Sequence, residues 1–103
     1  MDPSAPIDAH AEAAGNGTTS SVNITTTTAH ALITDCVLGQ GNPLTAVGGG
    51  QTQRVNRDTT VVVDGTGVST VNDKTPAGTV TMNWTQSSAQ SWAISAVSLR
   101  PAP

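Results

Sequence analysis

Apolar and polar residues alternate with a period of two along much of the chain. Ile7, Ala9, Ala11 and Ala13 alternate with Asp8, His10 and Glu12. A period of two gathers the three ionisable groups on one face of a strand, whereas a helix scatters them, so a strand is predicted over residues 7–13 despite the helix propensity of alanine. Ala14-Gly15-Asn16-Gly17 reads as a turn, because both glycines accept positive φ. Residues 18–28 form a second predicted strand with Val22 and Ile24 on one face. Residues 31–38 are a denser apolar run of the kind that occupies the middle of a sheet.

Gly39-Gln40-Gly41-Asn42-Pro43 closes that run. Residues 44–47 and 51–55 predict one irregular strand or two short ones, divided by Gly48-Gly49-Gly50 as at a bulge. Residues 59–64 predict a strand, Gly65-Thr66-Gly67 a turn, residues 68–71 a weaker strand and residues 72–78 a loop rich in Pro and Gly signals. Val80, Met82 and Trp84 alternate with Thr79, Thr81, Asn83 and Thr85. Residues 92–99 are apolar on nearly both faces before Arg100-Pro101 stops them.

Composition agrees with the pattern. The 17 Thr, 11 Val and 4 Ile are β-branched and suit a pleated sheet, while Tyr and Phe are absent. About seven to nine short strands punctuated by Gly, Pro and Asn predict an all-β fold, a two-sheet antiparallel β-sandwich of jelly-roll or Ig-like type. A chain of 103 residues holds one such domain. The expected organisation is an extended segment over residues 1–6, the domain over 7–100 and a tail over 101–103. The alanine face of the first strand fits an edge or a thin part of the core. Trp84, in parity with Val80 and Met82, and Trp92 are both expected to be buried, since these two Trp are the only rings available to fill a core.

Charge narrows the function classes. Only 11% of residues are charged, the net charge is −3, and four basic residues (Arg54, Arg57, Lys74, Arg100) make no stripe that would neutralise phosphates, so nucleic acid is not an expected partner. No apolar run reaches the length of a membrane-spanning helix, and no signal peptide is visible, which fits a mature extracellular or cell-surface form. His10, His30 and the lone Cys36 form no closely spaced ligand set, so neither metal nor cofactor is expected. Cys36, His30 and Asp35 are close in sequence, but neighbours on a strand face opposite ways, which argues against a nucleophilic triad. Cys36 shares parity with Leu32 and Leu38 and is expected to be a buried, inert thiol. The acids form no pair suited to glycoside hydrolysis, and an enzyme is not expected.

Gly50-Gln51-Thr52-Gln53-Arg54, the strand over residues 77–84 and the ending over residues 92–101 resemble the small β-sandwich modules of bacterial surface and phage structural proteins. The resemblance spans most of residues 7–101 and implies a structural or adhesive module with no catalytic residue. The function expected is therefore a structural subunit of an extracellular filament or surface assembly, polymerising with itself through strand and terminal contacts. Asp2, Pro3, Pro6 and Ile7 are the expected assembly contacts, because prolines at 3 and 6 bar that segment from the centre of its own sheet. Lys74, the single lysine, is a candidate site of covalent crosslinking. A phage virion protein is one alternative. A carbohydrate-binding module that stacks sugar on Trp92 is another, with glycan as its partner.

Overall fold

The structure is a computed structural model that describes residues 5–40, 44–46, 50–58 and 65–101. The described residues are strand-rich and contain no helix, in agreement with the all-β expectation. Six strands form one sheet: β1 (Ile7–Thr25), β2 (Ala31–Gly39), β3 (Leu44–Ala46), β4 (Thr52–Asp58), β5 (Gly65–Lys74) and β6 (Thr79–Leu99). Their order is β1-β6-β2-β5-β4, every pairing is antiparallel, and β3 pairs with β6 off that path. Where two separate sheets were expected, the described strands make a single hydrogen-bonded sheet that curls.

Two long strands cause the curl. β1 has 19 residues and β6 has 21. They pair over nearly their whole length, but the register slips between Gly17 and Thr19, where residues 86–89 of β6 lie opposite Thr18 alone. An insertion of this kind bends and twists a strand pair. Gln86 braces the bend, its side-chain amide donating to the carbonyls of Gly17 at 2.5 Å and Gln90 at 2.8 Å. The bend splits β6 into a half that pairs with β2 over Trp92 to Leu99 and a half that pairs with β3 over Trp84 to Gln86.

This geometry corrects several predicted turns. Residues 14–17 continue β1, because Gly15 lies against Trp92, where a Cβ would come within 2.8 Å of the indole. Gly65-Thr66-Gly67 likewise belongs to β5. Its glycines share the inner face with Ser69 and Val71, and a Cβ on Gly67 would meet the Trp84 ring at 2.4 Å. Both glycine clusters make room for tryptophan rather than reversing the chain. β5 also runs on through residues predicted as a loop and ends at Lys74, with Asp73 at φ 58°. The strand predicted over residues 59–64 lies outside the described residues.

The core is small and built from the inner face of the curl. Val22, Ile24, Ile33, Val37, Val71, Met82, Trp84, Ile94 and Ala96 form it, and Ala9, Ala11, Ala13, Val80 and Trp92 pack partly against it. Val22 pairs with Met82 and Ser20 with Trp84, so the parity argument for Met82 and Trp84 holds, and both are fully buried. β1 is an edge strand and presents its small alanine face to the core, as expected. On β2 the inner residues are Ala31, Ile33, Asp35, Val37 and Gly39. Cys36 is therefore exposed, with Leu32 and Leu38 beside it on the outer face, and the buried thiol is overturned.

Candidate functional site

Three polar or open features could carry function. The first is a buried carboxylate. Asp35 is 3% exposed on the inner face of β2, opposite Ser69 of β5 and Ala96 of β6. It accepts from the Ser69 amide at 2.7 Å, the Ser69 hydroxyl at 2.8 Å, the Trp84 indole N–H at 3.0 Å and, more weakly, the Gln51 side chain at 3.5 Å. Gln51 also donates to the Ser69 hydroxyl at 2.8 Å and accepts from the Asn83 amide at 2.9 Å. Several donors converging on one carboxylate compensate its desolvation. No His, Lys or Cys belongs to this cluster, so it offers no proton acceptor or nucleophile beyond the carboxylate and hydroxyl already bonded to each other. Its chemistry is that of a structural clamp joining β2, β5 and the far half of β6.

The second feature ties the two ends of the described chain together. Asp8 lies where the β1–β6 register slips between Ile7 and Ala9, and its side chain is fully buried. Burial opposes ionisation, but the Thr27 hydroxyl, the Thr27 amide at 2.9 Å, the Ser98 hydroxyl at 3.1 Å and Arg100 at 3.6 Å outweigh it and hold the carboxyl below its ordinary pKa. The Arg100 amide donates to the Pro6 carbonyl at 2.9 Å. Of the expected assembly contacts, Pro6 is thus bonded within its own chain, Ile7 is 51% exposed, and Asp2 and Pro3 lie outside the described residues.

The third feature is the open sheet itself. β1 and β4 are its two ends, and among the described residues neither has a partner strand on its outer side. His10 and Glu12 project from the outer face of β1 and contact each other at 3.2 Å, both well exposed. From β4 project Arg54, which donates to the Thr70 hydroxyl at 2.9 Å, together with Val55 and Arg57, all exposed. Between the edges the outer face carries a shallow apolar concavity of about 540 Å³ around Cys36, Leu38, Ala14 and Ala93.

The remaining sequence candidates are scattered. His30 and Asp73, both with positive φ, contact each other at the corner joining β2 and β5, far along the chain from His10. Among the described residues no three or more His, Cys, Asp or Glu gather so as to hold a metal ion. Lys74 ends β5, opposite Ala31, and its carbonyl accepts the His30 amide at 2.8 Å. Trp92 is partly buried and borders a second concavity of about 330 Å³ with Leu38, Gln40 and Ser91. Its indole N–H is itself buried, on the ring edge that faces Gly15, and has no hydrogen-bond partner among the described residues. The Asp35 clamp and the Asp8 tie were not foreseen; the visible signal for Asp35 was an acidic residue inside a dense apolar run, whereas Asp8 stands at an ordinary polar position of its alternation and nothing local marks it.

Compared with family models, with curated proteins and with solved structures, the chain has no match.

Proposed function

We propose that the chain is a non-enzymatic structural subunit that assembles with copies of itself by strand addition, in an extracellular filament or surface layer. The observation that supports this most is the open edge of β1, 19 residues long with no neighbour on its outer side among the described residues. A strand edge of that length presents a row of backbone donors and acceptors and is a template for another chain. The composition favours the same reading. With 11% charged residues, a surface of Thr, Ser, Asn and Gln can be covered without burying many ions. Leu32, Leu38, Ile7 and Val55 are exposed apolar side chains that a neighbour could cover.

Sedimentation velocity and electron microscopy of the purified chain over a wide concentration range test the proposal. Polymers that lengthen with concentration are expected, and a monomer that persists at millimolar concentration refutes it.

The ring of Trp92, partly buried and bordering a concavity with Gln40 and Ser91, favours a second reading as a carbohydrate-binding module. On that reading neutral oligosaccharides shift the Trp92 fluorescence, and Trp92→Ala abolishes the shift. Absence of any response across a glycan array removes it.

A further inference from the structure

The two open edges differ in charge, and the difference indicates how copies would join. β4 carries Arg54 and Arg57, two of the four basic residues of the chain, against one acid, Asp58, whereas the outer face of β1 carries Glu12. Glu12 pairs with Ser95, and Arg57 pairs with Thr66, so Glu12 and Arg57 lie on the same outer face of the sheet, with Arg54 bonded to Thr70 of that face. Each neighbouring pair in the order β1-β6-β2-β5-β4 is antiparallel, so β1 and β4 run in the same direction.

Building on the self-assembly reading above, we propose that the contact is head to tail: the β1 edge of one copy pairs in parallel with the β4 edge of a second copy, Glu12 facing Arg54 and Arg57. A displacement along the sheet that keeps outer faces together brings β4 of the next copy beside β1 in the same orientation. Each contact then leaves one β1 and one β4 edge free for a further copy, and the chain of copies grows open unless the rotation set by the curl closes it into a ring. The competing arrangement, β4 against β4, sets arginines of two copies against one another, and like charges placed opposite across strands destabilise. Backbone bonds supply most of the attraction in such a contact, while the charges choose the partner and speed the encounter.

Two variants test the pairing without touching the core. Glu12→Lys makes both edges basic, and Arg54→Glu with Arg57→Glu makes both edges acidic. At low ionic strength each variant alone is expected to raise the critical concentration for assembly, read by light scattering, by roughly tenfold. An equimolar mixture restores assembly, because each edge then meets its opposite, and added salt relieves the defect of each variant alone. Far-UV circular dichroism matching the parent establishes that the variants fold. If the doubly substituted β4 variant assembles like the parent, β4 is not part of the contact and the head-to-tail proposal fails while self-assembly stands. If Glu12→Lys alone behaves like the parent, or if the mixture fails to recover, the proposal fails in the same way. A parent chain that remains monomeric removes the self-assembly reading itself.

Discussion

Gly67 is the position where the packing of this core can be tested most sharply. A Cβ placed there would lie 2.4 Å from Cη2, 2.6 Å from Cζ3 and 3.0 Å from Cζ2 of Trp84. The ring has little room to withdraw, since it is fully buried and its N–H is bonded to Asp35 at 3.0 Å. Gly67→Ala alone would favour the folded chain through lost backbone freedom, by roughly 0.4–1 kcal/mol where no strain opposes it. Overpacking of roughly 1–3 kcal/mol outweighs that gain, so net destabilisation is expected. Trp84→Phe removes the distal ring atoms and one donor to Asp35, at roughly 2–4 kcal/mol for cavity and lost hydrogen bond together. Once that ring is shortened, the methyl of Gly67→Ala enters the vacated space. The double variant should therefore be more stable than the sum of the single effects by about 1 kcal/mol or more. Urea unfolding followed by far-UV circular dichroism measures all four corners of the cycle. Additivity within about 0.5 kcal/mol would show that Trp84 and Gly67 do not share this contact.

Three further outcomes follow from the site geometry. Asp35→Ala strands the Ser69 amide and the Trp84 indole N–H in the core and should cost roughly 3–5 kcal/mol in urea melts, whereas a loss below about 1 kcal/mol would mean that the clamp holds nothing. Cys36 should react stoichiometrically with a thiol reagent in native buffer, and protection from labelling until unfolding would contradict its outer-face position. The folded-state pKa of Asp8 lies below its unfolded value, so its contribution is present above the ordinary carboxylate range and is lost as pH falls through the lowered folded value. Asp8→Asn should accordingly flatten the acid limb of a stability–pH curve, and an unchanged acid limb would show that Thr27, Ser98 and Arg100 do not stabilise the ionised form.

Strand parity was legible wherever large apolar residues alternate with Thr or Ser. Val22 with Ile24 and Met82 with Trp84 declare the inner face by alternation alone, and the alanines of residues 9–13 mark an edge because small side chains bury little area. Parity misled on β2. Leu32, Cys36 and Leu38 form the more hydrophobic set by residue type, but the opposite set, which contains Asp35, faces the core. The reading failed because the donors of Ser69, Trp84 and Gln51 that satisfy Asp35 come from strands distant in sequence. Glycine misled for a related reason. Gly15 and Gly67 were read as local turn formers, yet each is required by a tryptophan at least 17 positions away along the chain, Trp92 and Trp84 respectively. The single curled sheet was hidden because the bend in β6 depends on how residues 86–89 pass Thr18, which no local pattern records.

The Asp35 clamp also answers a problem posed by the composition. A core of valines, isoleucines and alanines with one buried indole has few distinctive shapes, and its strands could slide by two residues while keeping every apolar side chain on the inner face. A carboxylate cannot slide so freely. Moving β2 by two residues against β5 would carry Asp35 from Ser69 to Gly67 or Val71 and away from the Trp84 N–H, leaving a charge buried without its donors. The clamp therefore fixes the register of β2, β5 and the far half of β6 together. That register in turn sets β5 beneath β4, and so the height at which Arg54 and Arg57 stand at the open edge opposite the one that carries Glu12.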